Sequence, residues 1–207
     1  MLQKWMLKIS SDLEGILGRG ETTKAFMKEA KMHLLKGQCN CPYWHGVFGG
    51  LYLPHLRHAV SSELVSAQTQ LDKIRFKEKE FLSLEETDLD CDGTNEIIVN
   101  TKRLSAVFKP SFGGSVPLLA FKDKAYNLQN TLARRYEHYH SEIWKTQHGQ
   151  SHSSASIHDL TRAVSDEVKQ NLFYDWHHRF SLIDHFFGEG TNLDLINSMK
   201  YKEEGDF

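Results

Sequence analysis

The chain has 207 residues, a formal net charge of -2 and 25% charged side chains, so no global basic field invites nucleic acid or an anionic membrane surface. Apolar residues make up 40%, enough to bury a core and too many for a disordered chain. No run of about twenty apolar residues suggests a membrane span, Met1 to Trp5 lacks the apolar run of a secretion signal, and the three cysteines are expected as reduced thiols in a cytoplasmic setting.

The first third reads as helical. Leu2, Trp5, Met6, Ile9, Leu13, Ile16 and Leu17 recur at three- and four-residue steps, the spacing of one helix face. Gly18-Arg19-Gly20 breaks that helix. Thr22 or Thr23 can cap a second one, which turns Phe26, Met27, Ala30 and Leu34 inward and stops near Gly37. A glycine-punctuated stretch follows from Gln38 to Leu53. Pro54 suits the first turn of a third helix, where Leu56, Ala59, Val60, Leu64, Ala67, Leu71 and Ile74 repeat at helical spacing. These three helices are expected to form a small antiparallel bundle, with a charged connector from Lys73 to Glu80.

From Phe81 the texture changes. Asp88 to Gly93 is turn chemistry, and Glu96 to Asn100 is a β-branched run that reads as a strand. Leu104 to Phe108 and Ser115 to Phe121 read as two more, separated by a turn at Pro110 to Gly114. Thr131 to Trp144 fits either a helix or an extended arm. Gln147 to Ser156 reads as a loop, and Phe180 to Phe187 as a further strand. Helices followed by strands predict an α+β chain: a helical module over 1–80, then a partial, mainly antiparallel β-sandwich over 81–207.

The stretch richest in chemistry runs from Gln38 to Arg57. Gly46, Gly49 and Gly50 let the backbone approach a neighbour closely. Tyr43, Trp44, Phe48 and His45 stand beside them, with Asn40 nearby. Aromatic faces stack on the C–H faces of sugar rings, and amide and imidazole groups hydrogen-bond hydroxyls. Apolar walls with a few placed polar groups are the composition of a ligand pocket. The structural alternative is a tight helix–helix turn whose aromatics fill the bundle core.

This run resembles the C-terminal sequence signature of glycoside hydrolase family 57, most closely its α-amylase and 4-α-glucanotransferase branch. Asp88-x-Asp90-x-Asp92-Gly93 with Glu96 to Val99, the turn at Phe112-Gly113-Gly114, the stretch from Tyr126 to His140, and Ser181 to Phe186 are similar to later parts of the same enzymes, in the same order. The resemblance implies a helical segment and a β-sandwich that follow a catalytic barrel. It also implies retaining cleavage of α-1,4-glucosidic bonds by a glutamate nucleophile and an aspartate acid/base, about 5–5.5 Å apart. The helical segment begins at Met1, which leaves no room for a barrel, so no catalytic residue is assigned. The chain is expected to be a fragment that supplies part of the cleft for an α-1,4-glucan or maltooligosaccharide, in company with a barrel-bearing chain. The alternative is a non-catalytic glucan-binding module. Asn40, Tyr43, Trp44, His45 and Gly46 carry over as the substrate-facing residues, Trp44 as a stacking platform and His45 as a hydroxyl partner. Many relatives have an aspartate after the asparagine, where this chain has Cys41.

Three metal readings remain. Cys39-x-Cys41 with His45 falls outside the C-x₂₋₄-C spacing of structural zinc and lacks a second ligand pair, so buried thiols are the favoured reading. Asp88, Asp90 and Asp92 with Glu96 resemble the first half of a calcium loop. Val99 stands where a calcium loop of the EF-hand type needs its closing glutamate, so an acidic turn is favoured and calcium stays the alternative; no other cofactor is expected. His138-x-His140 shares a face only on a strand, and His177-His178 cannot do so.

Overall fold

The computed structural model describes residues 1–18, 24–45, 49–137, 140–141, 167, 172–175, 177–184 and 186–198. Three helices come first: α1 (Leu2–Gly18), α2 (Lys24–Gly37) and α3 (Pro54–Phe76). The 3-10 turns Cys41–Tyr43 and Gly50–Tyr52 lie between α2 and α3. Strands β1 (Leu82–Thr87), β2 (Glu96–Thr101), β3 (Leu104–Lys109), β4 (Ser115–Phe121) and β5 (Tyr126–Asn127) follow. They form one antiparallel sheet in the order β1-β2-β3-β4-β5. The α+β expectation, helices first and antiparallel strands after, holds. No helix among the described residues is long and apolar enough to cross a membrane.

The helical periodicity translates directly into packing. Trp5, Ile9, Leu13 and Ile16 of α1 are buried, as are Met27, Ala30 and Leu34 of α2. Helix α3 is buried over a broader arc that includes Val60, Leu64, Val65, Ala67, Leu71 and Ile74, as a helix contacted from several sides must be. The end of α2 approaches α3 so closely that a Cβ on Gly37 would lie 2.7 Å from the Leu64 side chain. Polar contacts finish the seams. Glu63 of α3 meets His33 of α2 at 2.6 Å, and Arg75 of α3 meets Asp12 of α1 at 2.9 Å.

The sheet extends the same core. Its register aligns Ile98 with Val107 and Val107 with Leu118, so all three point to one face, because side chains alternate along a strand. These residues and Ala120 join the helical residues in one buried cluster. The opposite face carries Leu82 and Leu84 at 68% exposure each, with Leu104 and Phe121 also exposed.

Two expectations about strands need correction. The sequence pattern assigns no strand to Leu82–Thr87, beyond the charged connector of Lys73 to Glu80, because the two leucines of β1 face outward and leave no buried alternation. Conversely, 180–187 does not form the expected strand: among its described residues, Ser181 alone pairs, in an isolated antiparallel bridge with Val116. Leu182 takes a positive φ of 60°, which turns the chain out of extension. The stretch from Thr131, left open between helix and arm, has no regular structure from 131 to 137. The loop expected at Gln147 to Ser156 and the caps Thr22 and Thr23 lie outside the described residues.

The chain divides into two compact units. One holds Met1–Thr131 with Arg179–Glu189, and so contains the helices and the sheet. The other comprises the described residues of 132–178 and 190–201. In that second unit the Arg134 guanidinium lies 3.8 Å from the centre of the Phe173 ring and pairs with Asp175. Tyr136, His140 and Tyr174 form a ring cluster with centroids 5.5 to 5.9 Å apart.

Candidate functional site

The glycine-punctuated stretch forms a tight corner between α2 and α3. The chain leaves α2, makes the turn Cys41–Tyr43, and buries Pro42 beneath it. Asn40 is exposed and opens this turn, its carbonyl accepting from the Tyr43 N–H at 3.1 Å. Tyr43 is half-buried and donates its hydroxyl to the Gly37 carbonyl. Burial, with a smaller push from neighbouring Cys39, raises the Tyr43 phenol above its ordinary pKa, so it remains a donor at neutral pH. Tyr43 therefore ties the corner to the end of α2.

Trp44 points the other way. Its side chain is 44% exposed, and its indole meets the exposed His45 ring edge-on, with centroids 5.9 Å apart and planes at 61°. An exposed indole costs apolar burial, and here it stands next to an imidazole that can donate or accept. The backbone beneath the pair is held from behind. The Leu51 N–H donates to the Trp44 carbonyl at 2.8 Å. Gly50, at φ 48°, makes that closure possible: a Cβ there would sit 2.2 Å from the Trp44 carbonyl oxygen. Gly46, the fifth predicted site residue, and Phe48 lie outside the described residues. Of the aromatics at this corner, Trp44 is exposed and Tyr52 is half-buried.

Residues that the sequence reading passed over complete this corner. Arg57, in the first turn of α3, donates from Nη1 to the Leu51 carbonyl and from Nε to Asn130 Oδ1 at 2.9 Å. The Asn130 amide donates back to the Pro54 carbonyl at 3.0 Å. Burial pulls the Arg57 pKa below its ordinary value.

The acidic turn lies at the start of β2. Asp88 accepts from the N–H groups of Asp92 and Gly93, each at 3.0 Å. Glu96 is fully buried and accepts from the Leu89 and Asp90 N–H groups at 2.8 and 3.3 Å. Asp88, Asp90 and Glu96 present oxygens within 4.8 Å of one another, the group among the described residues with metal-ligand geometry. The Lys109 ammonium reaches into the same cluster, 2.9 Å from Asp90, 2.5 Å from Asp92 and 2.9 Å from Glu96. Burial alone would lower the Lys109 pKa, but the bonds to Asp92, Asp90 and Glu96 outweigh it and hold it above the usual lysine value. Asp92 is held well below the carboxylate range by Lys109 and by Thr94. The chain thus supplies its own cation to Asp90, Asp92 and Glu96, three of the four acidic residues of this turn. A sequence signal existed: Ile97 pairs with Phe108, so Glu96 and Lys109 face each other across one hairpin.

Cys39, Cys41 and Cys91 are free and exposed, a correction to the expected burial. Pro42 takes the inward position between the first two, and Cys91 sits at the tip of the acidic turn with φ 62°. Neither the cysteines nor the histidines join a metal-binding group among the described residues. His140 is buried and meets the Tyr174 hydroxyl at 3.1 Å, His177 bonds the His178 carbonyl at 2.6 Å, and His138 lies outside the described residues.

Comparison with known proteins matches residues 1–71 to the α-amylase/4-α-glucanotransferase middle domain and residues 88–207 to the α-amylase/4-α-glucanotransferase C-terminal domain. A 4-α-glucanotransferase of Thermococcus kodakarensis is 42% identical over 181 residues, covering 86% of this chain and 26% of the relative. An α-amylase of Pyrococcus furiosus is 39% identical over 181 residues, with the same coverage. The crystal structure of the 4-α-glucanotransferase from Thermococcus litoralis superposes over 100% of this chain and 26% of its own, with 35% identity and a TM-score of 0.69. The chain therefore spans about a quarter of the length of these relatives.

Proposed function

The chain belongs to the glycoside hydrolase family 57 α-amylase/4-α-glucanotransferase family, and from that premise we propose that it supplies one wall of an α-1,4-glucan cleft. Trp44 is the platform on which a glucose ring stacks. His45 is a partner for its hydroxyls and Asn40 borders the same wall, with Gly46 carried over from the motif as a further substrate-facing residue. Tyr43, committed to the Gly37 carbonyl, shapes the wall from behind. The helical module over 1–80 presents this corner, and the partial sandwich over 81–207 follows it in sequence. The role is binding and orientation. The carboxylate pair that cleaves the bond would be supplied by a catalytic barrel, with 4-α-glucanotransfer or α-amylase-type hydrolysis as the reaction.

One observation carries the reading: Trp44 keeps its indole 44% exposed beside an exposed imidazole, on a backbone that Gly50 and Leu51 lock in place. An indole serving only as core filling would be buried, as Trp5 is at 4% exposure. Stacking on an aromatic face contributes about 1.5 kcal/mol, which is roughly tenfold in affinity.

The test is calorimetric titration of the chain with maltoheptaose, with released sugars assayed in parallel. We expect binding without turnover, weakened about tenfold in Trp44→Ala and about fivefold in His45→Ala through the lost hydrogen bond. Trp44→Ala binding as tightly as wild type would sink the proposal.

A further inference from the structure

The Trp44 corner is joined to the sheet by a short relay of hydrogen bonds whose central member is Arg57. Its guanidinium is half-buried and sits between segments far apart in sequence. Nη1 donates to the Leu51 carbonyl, Nε to Asn130 Oδ1 at 2.9 Å, and Nη2 reaches the Asn130 backbone carbonyl at 3.4 Å. Asn130 returns its own amide to the Pro54 carbonyl at 3.0 Å. Leu51 uses its other backbone group, the N–H, on the Trp44 carbonyl at 2.8 Å. The path from Trp44 through Leu51 and Arg57 to Asn130 is continuous, and it closes on the residues just beyond β5.

We infer that the Arg57–Asn130 pair is a positioning device that sets the angle of the Trp44 and His45 wall. The inference rests on the glucan reading above and adds to it the residues that hold the wall. A single N–H···O contact acts as a pivot, because rotation about it costs little. A planar guanidinium that donates in three directions removes that freedom, since its donors are fixed relative to one another. A lysine at the same place would keep the charge but offer no fork.

The arrangement separates positioning from folding. Asn130 and Leu51 are only half-buried, so water can reach the groups that Arg57 leaves when it is replaced. The apolar core does not depend on them, because none of Arg57, Asn130 or Leu51 belongs to the buried cluster. Breaking the clamp therefore loosens the corner more than it destabilises the chain.

The test uses the 207-residue chain with Arg57→Lys and Asn130→Ala made separately. Maltoheptaose affinity, the thermal midpoint and the indole N–H resonances are read for each, with the tryptophan resonances assigned by substitution to phenylalanine. The expected result is a loss of affinity of about tenfold, a nearly unchanged midpoint and a shifted or broadened Trp44 resonance. The inference falls if both variants leave the Trp44 resonance where it is. It also falls if the Trp44 signal changes only together with a large drop in the midpoint, the signature of a merely structural residue. A wild-type chain that does not bind maltoheptaose removes the glucan reading, and the Trp44 resonance then decides the clamp by itself.

Discussion

Lys122 and Lys109 each meet carboxylates, and their surroundings give them opposite electrostatic balances. Lys122 pairs with Asp72 of α3 at 2.6 Å, with side-chain exposures of 1% and 6%. It also donates to the Thr101 carbonyl at 2.6 Å, while Gln68 donates to the other Asp72 oxygen at 3.0 Å. Burial still dominates: Asp72 is shifted up, mainly by loss of water and against the pull of Lys122, and Lys122 is shifted down for the same reason. Lys109 instead faces three carboxylates at the rim of the sheet, where burial is partial and Asp92 is open to water. There the bonds win, and both Lys109 and Asp92 are shifted toward their charged forms. The difference teaches that the number of opposing charges and access to water decide the outcome, since the contact distances are alike. It also separates two roles, a buried tie between α3 and the sheet and a self-neutralised turn.

The largest effect is expected at the buried tie. Lys122→Met leaves Asp72 without its cation in the core and should cost about 3–5 kcal/mol, whereas the double variant Asp72→Leu/Lys122→Met should recover most or all of it. Denaturant unfolding of both measures this. A single variant no less stable than the double variant would show that the pair carries no uncompensated charge and would break the comparison.

A smaller effect is expected at the rim. Lys109→Met leaves Asp90, Asp92 and Glu96 facing one another without their shared cation, at a cost of about 1–3 kcal/mol. Because Lys109 occupies the acidic group, millimolar calcium should leave the thermal midpoint of the wild type nearly unchanged and raise that of Lys109→Met. A wild-type midpoint that climbs by several degrees with calcium would mean that an ion displaces or joins the lysine, and the rim would no longer be self-neutralised.

The same contrast explains which parts were legible in the sequence. The helices were, because Trp5, Ile9, Leu13 and Ile16 are both periodic and buried. Strand β4 was legible to the residue, because Ser115 to Phe121 is apolar and bounded by glycines before it and a charged turn after it. Strand β1 was not: its leucines serve the exposed face, so pairing with β2 creates the strand without an inward stripe. The strand expected at Phe180 failed because composition does not reveal the positive φ at Leu182. At the candidate site, residue chemistry and kinship pointed to Trp44 and His45. Nothing local pointed to Asn130, whose contact with Arg57 spans 73 residues. Lys109 was overlooked because the acidic turn was read by its anions alone, although the hairpin register brings the lysine opposite Glu96.

The smallest expected effect concerns pH, and its sign sharpens the contrast between the two lysines. Asp92 has a folded pKa below its ordinary 3.8. Its contribution to stability is therefore fully present above that value and is lost as pH falls through the lower folded pKa. Asp72 has a folded pKa above 3.8, so its contribution is present below that value and is lost as pH rises through the raised folded pKa. Asp92→Asn should consequently cost stability at pH 6, by no more than about 1 kcal/mol given the exposure of the carboxylate, and progressively less as the pH falls below 3.8. Asp72→Asn should show the opposite trend, losing progressively less relative to wild type as the pH rises above 3.8 and the wild-type carboxyl ionises against its burial. Urea midpoints for the three chains between pH 6 and pH 3 check this directly. Parallel trends for the two variants would mean that burial and hydrogen bonding act alike on both aspartates, and the distinction between the tie and the turn would be lost.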